Sequence, residues 1–272
     1  CKICEAETTM KSQGWVYLLF FSSGLASLIY QLLWTRMLGQ AFGSTAQSAS
    51  TTVAAFLFGL GLGARAAARW LPAGYSPGRC FAVLEIFIAV YSLLLTMALP
   101  RLVYLNGLLV EGLGSESMTF FVARFVVVFL LLLPACLAMG ATLPVLTEHC
   151  AGEDFHGNLA RLYAANTLGA AMGPLLADFY LIRHLGIFGT SLLASSIDLG
   201  VGVIGWLILT SKASRQPAIT SAQLALRERV LFFATGYCSL CLEILWIRIL
   251  VFFNLADVYA FSIVVSTFLG GL

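Results

Sequence analysis

Charge is what this chain has least of. Only 10% of its 272 residues are Asp, Glu, Lys or Arg, while 60% are hydrophobic. Soluble domains carry about 25% charged residues. A chain this apolar has no water-soluble fold in which to hide its surface, so the composition defines an integral membrane protein. The net charge of +2 gives no basic surface for nucleic acid. Strict alternation of apolar and polar residues is also missing, which excludes barrel strands. The apolar runs instead last roughly 20 residues, the length of a membrane-crossing helix. The first run is too long for a signal core and lacks a small-residue cleavage site with a polar follow-on, so it reads as a span.

The cysteines supply no framework. Of the seven, Cys80, Cys136, Cys238 and Cys241 lie in apolar segments, where Cys acts as a small hydrophobe. Cys1-x-x-Cys4 has metal or redox spacing but no second pair. Glu148, His149, Cys150, Glu153, Asp154 and His156 are all capable of ligating a metal, but they show no zinc spacing and read as a solvated loop, Thr147–Asn158. Gly59-x-Gly61-x-x-Ala64 resembles a dinucleotide fingerprint, yet it lies in an apolar span with no strand before it. Like Gly169-x-x-x-Gly173, it reads as close helix packing. Catalytic, cofactor and metal residues are therefore expected to be none. Position 1 is not Met and the last residues fall inside an apolar run, so the chain reads as a fragment of a longer protein.

Eight spans follow from run length: Trp15–Leu38, Ser48–Ala66, Cys80–Leu99, Met118–Ala141, Leu159–Ile182, Ile187–Thr210, Val230–Phe253 and a last one from Val258. Gly39–Gln47 reads as a short loop. Pro134 and Pro144 predict a kink in the fourth span. With the N-terminus inside, ten Lys/Arg fall on the cytoplasmic side and five outside, which favours that orientation.

One stretch recurs. Gly24–Leu38, GLASLIYQLLWTRML, returns as Gly236–Leu250, GYCSLCLEILWIRIL. The offset is constant, aligning Ser27 with Ser239, Trp34 with Trp246 and Arg36 with Arg248. The match runs on without a gap to Leu57 and Leu269; over that length roughly a third of the aligned positions are identical, and Trp and Arg recur in place, which marks an internal duplication. The copies fall on spans one and seven, so both cross the membrane in the same direction. Parallel six-helix repeats are the organisation of major-facilitator transporters. The expected fold is all-α and polytopic: a tail (1–14), a first six-helix half (15–210), a basic cytoplasmic linker (211–229) and the first helices of a second, parallel half (230–272).

The run SLIYQLLWTRMLGQAFGSTAQSASTTVAAFLFGLGLGA resembles the first two helices of the membrane-bound fused spermidine synthases. LPACLAMGATLPVLTE and NLARLYAANTLGAAMGPLLADFYLIRHLG resemble that family's fourth and fifth. The resemblance implies a major-facilitator-like membrane region in the bacterial inner membrane, joined to a C-terminal aminopropyltransferase domain. Decarboxylated S-adenosylmethionine would belong to that domain, which these residues do not contain. Departures include Gln31 where the family has Glu, a Glu that the second copy keeps as Glu243. Asp178 and Arg183 stand where it has Gly and Pro. The alternative is a stand-alone major-facilitator-like transporter, although Arg65–Arg79 matches the usual cytoplasmic loop motif poorly.

Ionisable groups inside a span each require a reason, because insertion costs about 2.5–3.5 kcal/mol. Glu85, Asp178, Asp198 and Glu243 are such carboxylates. They either pair with Arg or polar groups on neighbouring helices, or sit protonated, or line a cavity that attracts a cation, as a polyamine would need. Arg36 and Arg248 sit at span ends, where they can snorkel. Trp34 and Trp246 have the positions of interfacial anchors or of substrate aromatics. Tyr163, Asn166 and Thr167 read as packing groups. The candidate intramembrane polar site is Gln31, Trp34, Arg36, Glu85, Asn166, Asp198, Glu243, Trp246 and Arg248, with lipid and a small cation as partners.

Overall fold

The computed structural model describes residues 2–42, 45–70, 75–102, 104, 107, 118–150, 155–209, 226–254 and 257–271. Among them the chain forms eight α-helices: α1 (Lys2–Phe42), α2 (Thr45–Trp70), α3 (Pro77–Ala98), α4 (Met118–His149), α5 (Phe155–Leu176), α6 (Ile182–Ile208), α7 (Leu226–Asn254) and α8 (Asp257–Gly270). A 3₁₀ turn, Leu99–Arg101, extends α3, and a π-helical turn, Ala177–Leu181, joins α5 to α6.

Six helical stretches are long and apolar enough to cross a membrane. The longest, Gly157–Ile208, has 52 residues. At 1.5 Å per residue it would reach about 78 Å, more than twice the hydrocarbon thickness. It therefore cannot be one pass. Gly186 breaks it, with φ +70° and ψ 179°, a conformation glycine reaches without a Cβ penalty. Neighbour contacts give the directions. Tyr17 meets Asn158, Gly24 meets Asn166 and Arg36 meets Asp178, so α5 runs parallel to α1. Gly78 meets Leu209, Gly202 meets Ile86 and Thr96 meets Ser191, so α6 runs antiparallel to α3. Ser23 lies beside Glu85 and Tyr30 beside Ser195, which makes α3 parallel to α1 and α6 antiparallel to both. The chain thus reverses at Gly186, where run length alone ends one span and begins the next.

Helix α1 is the centre of the bundle. Every residue from Ala26 to Thr35 is buried, as expected of a helix covered on all sides. The outer helices are inverted relative to soluble ones. On α3 the exposed stripe is Val83, Phe87, Val90, Leu94 and Met97, whereas Glu85, Ser92 and Thr96 are buried. Apolar outside and polar inside, at helical spacing, is the pattern lipid imposes.

Glycines set the closest approaches. A Cβ on Gly63 would fall on the backbone carbonyl of Leu137, and one on Gly140 on that of Leu60, so α2 and α4 touch backbone to backbone. Gly169 and Gly173 do the same for α5 against Phe21 and Leu25 of α1. The packing role expected of Gly169-x-x-x-Gly173 is met. In the GLGLGA run the contacting pair is Gly59 and Gly63, while Gly61 faces open space.

Several boundaries differ from those that run length suggests. Residues 2–13 of the expected tail are helical and continuous with α1, whose apolar crossing stretch begins at Gly14. Most of Gly39–Gln47 is helical: α1 continues to Phe42 and α2 starts at Thr45, with 43–44 outside the described residues. Pro134 and Pro144 both lie within α4, which continues to His149. Arg227 and Arg229, expected in the linker, are in α7, and 210–225 lies outside the described residues. Of the supposed 147–158 loop, the first residues belong to α4 and Asn158 to α5, with 151–154 outside the described residues.

Candidate functional site

Three polar stripes meet in the first part of the bundle. On α1 the stripe is Ser23, Ser27, Tyr30 and Trp34; on α3 it is Glu85, Ser92 and Thr96; on α6 it is Ser191, Ser195 and Asp198. Each set repeats at three, four or seven residues, so each occupies one helix face. From Glu85 to Thr96 the column rises about 16 Å. All ten side chains are buried, and Glu85, Asp198, Ser92 and Ser191 are 0% exposed.

Within the column, hydroxyls bond to one another and to one carboxylate. Ser23 Oγ donates to Glu85 Oε1 at 2.8 Å. Tyr30 Oη donates to Ser195 Oγ at 3.1 Å, and Ser191 Oγ to Thr96 Oγ1 at 3.0 Å. Trp34 stacks on Tyr30, with ring centroids 5.7 Å apart. Tyr30, Glu85 and Asp198 are close enough to feel one another electrostatically. Yet Glu85 Oε2, both carboxylate oxygens of Asp198, Ser92 Oγ and Trp34 Nε1 have no well-formed hydrogen bond. No Lys, Arg or His contributes to these stripes. Buried ionisable groups are otherwise paired, so two carboxyl groups without a basic partner in the stripes mark this place out.

A second polar contact lies elsewhere. Arg36 of α1 forms an ion pair with Asp178, on the π-helical turn that follows Pro174. Ser262 of α8 hydrogen-bonds the same carboxylate. Asp178 is fully buried and Arg36 is 21% exposed at the side chain. Arg36 therefore does not snorkel to the interface, as its place near a span end suggests. The π turn, a widened helical register that recurs at functional sites, carries Asp178 at this junction of α1, α5 and α8.

Of the residues that the sequence offers as an intramembrane polar site, the structure unites Glu85, Asp198 and Trp34. Trp34 is in the bundle core, which corrects its reading as an interfacial anchor. Gln31 is buried on α1 and its carbonyl accepts from Thr35 Oγ1 at 2.8 Å. Asn166 packs against Gly24, in line with a packing role. Glu243 is half-buried on α7, while Trp246 and Arg248 are exposed there, apart from the three stripes. Asp178 and the hydroxyls of the column are not among those candidates. The hydroxyls are detectable as Ser/Thr recurring at helical spacing in apolar runs; the Arg36–Asp178 pairing leaves no sequence signal.

The acidic segment near Glu148 is not a solvated loop throughout. Tyr75 Oη donates to Glu148 Oε2 at 2.5 Å, and Asn158 Nδ2 to the Cys150 carbonyl at 3.1 Å. Burial pushes the Cys150 thiol up to about 11, so it is held as the neutral thiol rather than as a metal-binding thiolate. Among the described residues no group of three or more His, Cys, Asp or Glu is placed to hold a metal; Glu153 and Asp154 lie outside them.

Fold and site together define a multi-pass helical membrane protein with ionisable groups sealed in its interior. No protein-family profile, no curated protein and no solved structure matches the chain.

Proposed function

We propose that this chain is the membrane region of a fused major-facilitator-like/spermidine-synthase protein, and that it holds or passes a cation. A polyamine is the substrate class that the sequence resemblance favours. The observation that carries the cation reading is the pair Glu85 and Asp198, buried among α1, α3 and α6 with no basic partner in the stripes. Intramembrane carboxylates of this kind mark ion and substrate paths.

The helix pairing supports the major-facilitator-like part. The main partners are α1 with α5, α2 with α4 and α3 with α6, followed by α3 with α4 and by α1 with both α6 and α2. Exchanging α1 with α4, α2 with α5 and α3 with α6 maps these pairs onto one another except for α1 with α2, whose counterpart, α4 with α5, is a weaker contact. That is the symmetry of two three-helix repeats nested in a six-helix half. The Lys/Arg distribution supports a cytoplasmic N-terminus. Aminopropyl transfer would reside in a further domain.

The reading is tested with the full-length protein in nanodiscs and radiolabelled spermidine. Spermidine should bind saturably, and Glu85→Gln or Asp198→Asn should weaken binding at least ~10-fold, which corresponds to about 1.4 kcal/mol. A folded wild-type protein that ignores spermidine, or variants that bind it unchanged, would rule out the polyamine role.

A further inference from the structure

We infer that Asp198 and Glu85, together with the hydroxyls of Ser23, Tyr30 and Ser195, form a binding site for one small, dehydrated monovalent cation, sodium being the fitting class. This deepens the cation reading above and rests on it only for the statement that the column handles positive charge.

The argument is one of donors and acceptors. Ser23 has already given its proton to Glu85 Oε1, and Tyr30 has given its own to Ser195. Asp198 has no well-formed hydrogen bond and only the Tyr30 hydroxyl, already shared with Ser195, within reach, and Glu85 Oε2 has no donor. A proton shared between two such oxygens satisfies that pair alone. A metal cation satisfies several at once, because it is attracted to every lone pair that faces it. Oxygen-only ligation by carboxylate and hydroxyl suits a hard cation rather than a soft one.

Charge balance sets the valence. With Ser23 donating to Oε1, Glu85 keeps a proton on Oε2 and offers the second lone pair of Oε1 to the ion. Asp198, supported only by the shared Tyr30 hydroxyl, is the carboxylate left to neutralise the ion. One carboxylate and one monovalent cation leave the site neutral, as an interior that excludes water requires. The ion must shed its hydration shell, since Asp198, Glu85 and Tyr30 are each 0% exposed. The hydroxyl oxygens of Tyr30 and Ser195 replace part of that shell.

The test is thermal unfolding of the purified full-length protein in NaCl and in choline chloride of equal ionic strength. Sodium should raise the midpoint by several degrees in a saturable way. Asp198→Asn should abolish the difference. Ser195→Ala, a milder change that keeps the protein foldable should Asp198→Asn not fold, should raise the half-effective sodium concentration at least ~10-fold. No ion-specific shift in the wild type, an unchanged shift in a folded Asp198→Asn, or an unchanged half-effective sodium concentration in Ser195→Ala overturns the sodium site. A midpoint that follows pH but not sodium also overturns it and leaves a proton-only site. Radiolabelled spermidine on the same samples separates the two readings. Sodium stabilisation without amine binding removes the polyamine role alone; amine binding without sodium stabilisation removes the sodium site alone.

Discussion

Arg36→Ala is expected to destabilise the protein by about 3–5 kcal/mol, and Asp178→Ala by clearly less. The asymmetry comes from exposure. Removing Arg36 leaves the Asp178 carboxylate fully buried, with Ser262 as its remaining support. Removing Asp178 leaves a guanidinium on a side chain that is already 21% exposed and can turn its charge toward the membrane surface. The double variant Arg36→Ala/Asp178→Ala should therefore be more stable than Arg36→Ala alone, because the stranded charge is gone. Thermal unfolding in detergent, analysed as a double-mutant cycle, measures this. Equal single effects that add in the double variant would show that the pair contributes nothing beyond packing.

The second large effect is expected at the glycine contacts. Gly63→Ala and Gly169→Ala should each cost about 1–3 kcal/mol, and leucine at either place should prevent folding. The reason is the identity of the obstacle. The added carbon meets the backbone of Leu137 in one case and of Phe21 in the other, and neither can rotate away as a side chain would. Gly61→Ala provides the control. It lies two residues from Gly63 in the same helix, with nothing within 4 Å of its Cβ position. Alanine there should be neutral or stabilising by up to about 1 kcal/mol from helix propensity. Similar losses at Gly61 and Gly63 would refute the packing of α2 against α4.

These two predictions differ in how far the sequence anticipates them. The membrane class and the spans follow from hydropathy, because apolar runs of helical length have no other stable solution in lipid. Gly169-x-x-x-Gly173 is readable as a packing face, since small residues at helical spacing have few other uses there. The GLGLGA run is less readable: several glycines fit a small-residue spacing, and only the neighbour α4 selects Gly59 and Gly63. Glu85 and Asp198 stand out as charges in apolar runs, but their meeting depends on α3 and α6 running antiparallel beside α1. The pairing of Arg36 with Asp178 is a purely tertiary fact, made by a π turn with no sequence signature. Trp34 misleads for a related reason. Its distance from the span end suggests an anchor, whereas α1 is surrounded by other helices and holds it in the core.

We propose that Glu85 and Asp198 are retained for a cation rather than for the fold. The most direct test is the doubly neutralised protein, Glu85→Gln/Asp198→Asn, measured for thermal stability and for spermidine and sodium binding in one preparation. Buried acceptors without donors cost stability, and the amides supply the missing N–H groups. The account predicts a midpoint equal to or above that of the wild type measured without ligands, with cation binding lost. A protein that loses stability in step with binding would contradict it, and would make the two carboxylates part of the scaffold.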